Sequence, residues 1–159
     1  VTPAARDLLR QAGVALVFGA AEPGRGPCRL LLAEAPAGAG AARAARCCAQ
    51  RGIAVELAAA GELVAAVAGL AAGITAGRLG LLLTCETAAA LCLANRRAGV
   101  RAVCGSDPAA LRRDVAAVGA NLLVLNPAGW STFQLGQALQ AFCSLPPREC
   151  PAAYRDHLS

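Results

Sequence analysis

Five short runs rich in leucine and valine alternate with longer segments of helical pattern from Cys28 onward, and this alternation constrains the fold more than any single motif. The runs Arg29 to Ala33, Ile53 to Leu57, Gly80 to Thr84, Val100 to Cys104 and Asn121 to Leu125 predict strands. The intervals Ala39 to Gln50, Glu62 to Ala76, Thr87 to Arg97, Pro108 to Val118 and Trp130 to Ser144 predict helices. Repeated strand–helix units build a parallel sheet with helices on both faces, because each parallel connection must cross over the sheet. Junction residues agree. Gly52 and Gly99 suit the position after a helix end, Asp107-Pro108 suits an N-cap followed by proline at the first helical position, and Arg96-Arg97 complement a helix C-terminus.

The pattern predicts a three-layer, doubly wound α/β domain over residues 28–145, with five parallel strands in a flavodoxin- or Rossmann-like arrangement. Residues 1–27 precede it as an extension or arm, with a short helix over Ala4 to Gln11, a strand over Val14 to Phe18 and a Gly/Pro-rich link from Glu22 to Pro27. Residues 146–159 form a C-terminal tail. Ligands in such sheets bind beyond the carboxyl ends of the strands, which directs attention to Ala33 to Gly38, Thr84 to Ala90, Gly105 to Pro108 and Asn126 to Gly129.

A hydrophobic content of 57% in 159 residues suffices for one core. With only three Phe, one Trp and one Tyr, that core is built from Ala, Val and Leu. It buries less area per residue, so a partner subunit is expected to add stability. All 15 basic residues are arginine, and the net charge is +5. They are dispersed and carry no interleaved aromatic platform, so no nucleic-acid partner is expected. The apolar stretch Leu63 to Gly77 is too short to span a bilayer, and no transmembrane segment is expected. The chain has no Met, from which an original N-terminus lost by cleavage or trimming is expected.

Eight cysteines contain no C-x-x-C, and the lone histidine, His157, stands near the C-terminus. No ligand cluster for zinc follows from this spacing, so neither a metal nor a cofactor is expected. Most of the thiols lie within apolar runs, which favours a reducing intracellular compartment, with an organelle such as the mitochondrion accommodated if a targeting segment has been removed.

The segment Arg78 to Pro108 reads R-L-G-L-L-L-T-C-E-T-A-A-A-L-C-L-A-N-R-R-A-G-V-R-A-V-C-G-S-D-P, and A-N-L-L-V-L follows after Pro108. It resembles the ribose-5-phosphate isomerase B and galactose-6-phosphate isomerase family, whose pattern is roughly G-I-L-I-C-G-T-G-x-G-x-S-I-A-A-N-K-x-x-G-I-R-A with a later Pro and N-V-L. The resemblance implies the same doubly wound fold and an aldose–ketose isomerase ancestry. Such chemistry needs a base to move a proton between adjacent carbons, an acid/base to open the sugar ring, donors for the enediolate and a phosphate cradle.

Aligned from Gly80 and Asn95, the family's base, a Cys, falls at Thr84, a hydroxyl without an evident activating base. Three glycines of the family's anion-cradling loop fall at Cys85, Thr87 and Ala89, whose Cβ atoms hinder close backbone approach to an anion. Glu86 puts a carboxylate where a negative intermediate would sit; as an acid at a helix N-terminus it also has a structural role. The first-strand Asp and His fall at Ala35 and Pro36, the ring-opening His at Ala117 and a later Arg at Ala128. A one-residue shift would instead put Cys85 at the base position, where a helix N-terminus activates thiols.

The expected function is therefore a non-catalytic, isomerase-fold subunit of a larger complex, with protein partners in a homodimer or hetero-oligomer. The alternatives are a sugar-phosphate isomerase, possibly one half of a two-component enzyme, and a sensor of a phosphate ligand. Thr84, Cys85 and Glu86 are the vestigial or rewired catalytic candidates. Gly38, Thr87, Ser106 and Asn126 are the candidates for lining a ligand cleft.

Overall fold

The computed structural model describes residues 29–36, 38–58, 61–144 and 149–158. The expected helix at Ala4 to Gln11 and strand at Val14 to Phe18 lie outside these residues. The apolar runs form β1 (Arg29–Glu34), β2 (Ala54–Leu57), β3 (Leu79–Leu83), β4 (Ala102–Cys104) and β5 (Leu122–Leu125). The helical segments form α1 (Gly40–Ala49), α2 (Leu63–Thr75), α3 (Thr87–Ala94), α4 (Pro108–Val118), α5 (Thr132–Ser144) and the short α6 (Arg155–Leu158). One all-parallel sheet joins the strands in the order β2-β1-β3-β5-β4.

The five-stranded three-layer α/β class stands. The order of the last two strands, however, differs from the 2-1-3-4-5 arrangement of flavodoxin. Burial accounts for it: every residue of β5, Leu122 to Leu125, is buried, as suits an interior strand, whereas the three-residue β4 is only half-buried and takes the edge. Successive side chains of the interior strands point to opposite faces. Leu30, Leu32, Leu81, Leu83, Leu123 and Leu125 pack beneath α1, α4 and α5. Leu31, Ala33, Leu82, Leu122 and Val124 pack beneath α2 and α3.

Most boundaries move by one to three residues from the sequence-based expectation, and three of the shifts have identifiable reasons. Helix α3 ends at Ala94 rather than Arg97, because the Asn95 side chain leaves the helix to bind the edge strand. Its Oδ1 accepts from the Ala102 N–H at 2.7 Å and its Nδ2 donates to the Ala102 carbonyl at 3.2 Å, so a side-chain amide does the work of a neighbouring strand. Helix α5 starts at Thr132 rather than Trp130, after a capping box. The Ser131 Oγ accepts from the Gln134 N–H at 3.2 Å, and the Gln134 Oε1 accepts from the Ser131 N–H at 3.1 Å. Strand β1 runs on to Glu34, which is buried. Helix α4 begins at Pro108 as expected, with the Asp107 Oδ2 accepting from the Ala110 N–H at 3.3 Å.

Candidate functional site

The chain moves from β1 to β2 in one direction and then back past β1 to β3, so the carboxyl ends of β1 and β3 flank a point where strand order reverses, the place where open α/β sheets bind ligands. Among the described residues only two polar side chains are buried, and both lie there: Glu34 at 7% exposure and Thr84 at 2%. Glu34 closes β1 opposite Leu83, and Thr84 follows directly after β3.

Both side chains are already engaged. The Glu34 carboxylate reaches over the loop to the start of α1, where Oε1 accepts from the Gly40 N–H and Oε2 from the Ala41 N–H, each at 2.9 Å. A helix N-terminus leaves such N–H groups without intrahelical partners and carries partial positive charge, so this helix holds its own anion. The loop is shaped around that carboxylate: a Cβ at Gly40 would lie 2.5 Å from Glu34 Oε1 and 3.0 Å from Pro127 Cβ, and one at Gly38 would lie 2.9 Å from Glu34 Oε1. Arg43, one turn into α1, donates through Nη2 to the Pro127 carbonyl and ties the helix to the turn after β5; its Nε is buried without a hydrogen-bond partner. The Thr84 hydroxyl accepts from the Glu86 N–H at 3.1 Å, while the Thr84 N–H donates to the Leu125 carbonyl at 2.9 Å. Thr84 therefore shapes the turn into α3.

The other expected site residues are spread along the same sheet edge. Cys85 and Glu86 are exposed and line an open depression of about 320 Å³ together with Pro36, Glu62 and Leu63. The peptide bond before Pro36 is cis. Thr87 is the first residue of α3 and half-buried. Gly38 lies against Glu34, Ser106 is exposed after β4, and Asn126 caps the 3₁₀ turn Pro127–Gly129 through an Oδ1 that accepts from the Ala128 N–H at 3.0 Å. Of the expected residues, the depression thus gathers Cys85 and Glu86.

Glu62 and Leu63 were not foreseen in this cleft, although the topology predicts them: α2 starts where β2 ends, beside β1. Glu62 and Glu86 occupy the N-cap positions of α2 and α3, and neither side chain makes a capping hydrogen bond. Two carboxylates at two helix N-termini are stabilised by the helix dipoles. The same pair repels a phosphate brought to the depression. Among the described residues no group of three His, Cys, Asp or Glu converges as metal ligands.

Neither a protein-family model nor a curated protein matches this sequence. Solved structures do. A ribose 5-phosphate isomerase from Thermotoga maritima superposes with a TM-score of 0.68 at 20% identity, covering 80% of this chain and 94% of the other. Ribose 5-phosphate isomerase B from Anaplasma phagocytophilum gives a TM-score of 0.72 at 16% identity, covering 84% and 97%. This chain has the ribose-5-phosphate isomerase B fold. A third structure, the Mycoplasma genitalium isomerase B with bound ribulose-5-phosphate, matches with a TM-score of 0.66 at 14% identity over 80% of this chain and 91% of that one.

Within the isomerase B fold, the asparagines that anchor the sequence resemblance do structural work. Asn95 binds both polar groups of Ala102. Asn121 accepts from the Arg101 N–H at 2.8 Å and donates to the Gly99 carbonyl at 2.7 Å. These bonds close the β4 edge and so carry the frame.

Proposed function

We propose that this chain is a non-catalytic protein of the sugar-phosphate isomerase fold that serves as a subunit of a larger assembly. One observation carries the reading. The two buried polar side chains at the ligand-binding edge are spent on the protein's own backbone, Glu34 on the first turn of α1 and Thr84 on the turn into α3. A general base works best with an acceptor turned toward the proton that it takes, and here each of the three side-chain oxygens is already held by a backbone N–H of its own chain. Positions that the family resemblance assigns to the sugar and to ring opening hold Ala35, Pro36 and Ala117, which carry no proton-transfer group.

A second reading, an aldose–ketose isomerase of the ribose-5-phosphate or galactose-6-phosphate type, is the one that the structural likeness backs better, since the matched structures are isomerases and none speaks to assembly. Fold alone does not carry activity. The local observation in its favour is Cys85, an exposed thiol on the open depression beside Glu86. The purified chain should interconvert ribose and ribulose 5-phosphates no faster than a denatured control. Turnover abolished in Cys85→Ala would establish the enzyme reading, and turnover that needs a second, related chain would establish a two-component enzyme.

A further inference from the structure

Arginines that are dispersed along the sequence are gathered by the fold. In a parallel sheet every helix-to-strand turn lies at the amino edge and every strand-to-helix loop at the carboxyl edge, and this chain divides its charges between the two. The turns at residues 50–53, 76–78, 95–101 and 119–121 carry Arg51, Arg78, Arg96, Arg97 and Arg101 and no acid, and Arg29 opens β1 on the same edge. The loops at residues 35–39, 58–62, 84–86, 105–107 and 126–131 carry Glu62, Glu86 and Asp107 and no arginine. Two acids reach the amino edge: Glu56 pairs with Arg78 at 2.6 Å, and the backbone of Glu149 lies against Gly119. Six arginines thus stand against two acids there.

The helix dipole favours cations near a helix C-terminus, but its effect fades beyond the last turn. None of the six lies in the last turn of α1, α2, α3 or α4, where the one basic residue is Arg46. With the strand order β2-β1-β3-β5-β4, arginine stands at the entrance of four of the five strands: Arg51 before β2, Arg29 on β1, Arg78 before β3 and Arg101 before β4, where Arg96 and Arg97 share the turn. Neighbouring strands are about 4.8 Å apart, so the row is about 20 Å long. Arg29, Arg96 and Arg97 are exposed, and the other three are half-buried. Two of the half-buried groups are set in place by the chain. The Arg51 Nη1 donates to the Cys47 carbonyl at 3.1 Å, with its guanidinium laid over Gly136 where a Cβ would collide with it, and the Arg101 Nε donates to the Gly119 carbonyl at 3.0 Å. Such a bond orients a guanidinium, which has five N–H donors, without neutralising it.

We infer that this amino edge binds the phosphate backbone of a nucleic-acid duplex. A guanidinium matches two phosphate oxygens at once, and a duplex lays about 12 charges along 20 Å of its axis. The lack of an aromatic platform confines the contact to phosphates: it removes the stacking that holds single strands and leaves the binding indifferent to sequence. A lipid surface is disfavoured, because among the described residues these turns expose no large apolar side chain to enter one, and no helix is long and apolar enough to cross a membrane. The row lies at the opposite edge of the sheet from the depression that holds Cys85 and Glu86. The inference therefore goes beyond the assembly reading, and its failure leaves the isomerase test untouched.

Fluorescence anisotropy of the whole chain with labelled duplexes of roughly 20 base pairs and mixed sequence, one of RNA and one of DNA, tests it. With about four phosphates neutralised, the Kd should be on the order of 1–10 μM at about 50 mM salt and should weaken about 100-fold by about 200 mM. The two duplexes tell which nucleic acid supplies the phosphates. Arg96→Glu combined with Arg97→Glu should weaken binding at least about tenfold and flatten the salt dependence by about half. Arg112→Glu combined with Arg113→Glu makes the same change of charge on α4, away from this edge, and should shift binding less than about threefold. All four side chains are exposed, so both double variants should melt within about 2 °C of the wild type. An equal loss in the two double variants, no binding to either duplex at the lower salt, or tighter binding to phosphatidylglycerol vesicles than to either duplex would overturn the assignment.

Discussion

Replacing Glu34 by alanine should separate a structural carboxylate from a chemical one. The side chain is 7% exposed and accepts two backbone N–H groups at 2.9 Å, both from the first turn of α1. Hydrogen bonds to a charged group are worth about 1.5–3 kcal/mol each, but the freed N–H groups recover part of that from water entering the space left behind. Helix caps removed in this way cost about 0.5–2 kcal/mol, and the buried setting pushes the total upward. The expected destabilisation is about 2–4 kcal/mol for Glu34→Ala, and about 1–2 kcal/mol for Glu34→Gln, which keeps one acceptor oxygen and loses the charge. For a domain of this size that corresponds to a fall in Tm of roughly 8–15 °C for the alanine variant. Urea unfolding followed by far-UV circular dichroism measures it, with an unchanged m-value showing that only stability has moved. Glu86→Ala serves as the control, because the N-cap Glu86 makes no capping hydrogen bond and its loss should cost less than about 1 kcal/mol. If Glu34→Ala unfolds within about 0.5 kcal/mol of the wild type, the carboxylate does not hold α1, and the argument that it is unavailable for proton transfer collapses with it.

Gly40→Ala should destabilise by about 1–3 kcal/mol in the same assay, since its Cβ would lie 2.5 Å from Glu34 Oε1 and 3.0 Å from Pro127 Cβ, and either neighbour must yield. Asn95→Ala should cost about 1–2 kcal/mol and, more specifically, remove the hydrogen-exchange protection of the Ala102 amide, whose 2.7 Å bond to Asn95 Oδ1 substitutes for a neighbouring strand. A thiol reagent should modify the exposed Cys85 and Cys92 first and the buried Cys47 only on unfolding, and under denaturing conditions it should find nearly all eight cysteines reactive; two or more disulfides would contradict the expected reducing compartment.

The central strands were legible because strands buried on both faces read as unbroken apolar runs, and L-L-L-A in β1, L-G-L-L-L in β3 and L-L-V-L in β5 leave little choice. The start of α4 was legible for a local reason, since Asp107 and Pro108 act within one turn of each other. The order of the sheet was not. Which strand β5 joins depends on burial summed over the whole molecule, and alternation along the chain says nothing about exchanging β4 and β5 at the edge. The end of α3 escaped for a related reason: Asn95 is a tolerable helix residue taken alone, and only the arrival of Ala102 beside it gives its amide a better use.

The carboxyl edge of the sheet shows the same division between local and tertiary information. Read along the sequence, Thr84, Cys85 and Glu86 look like three altered members of one catalytic loop. In the folded chain they part company, with Thr84 buried and bonded to the Glu86 backbone while the Cys85 and Glu86 side chains face an open depression. Glu34 drew no notice in the sequence because its role depends on the chain doubling back to place Gly40 and Ala41 against it. Yet it is the residue that most changes what this edge can do, because a helix N-terminus that could attract a ligand anion is occupied by a side chain from its own preceding strand. The scaffold asparagines and the self-bound carboxylate hold the sheet edge in shape through bonds to the chain's own backbone, while the Cys85 and Glu86 side chains are left on the open depression.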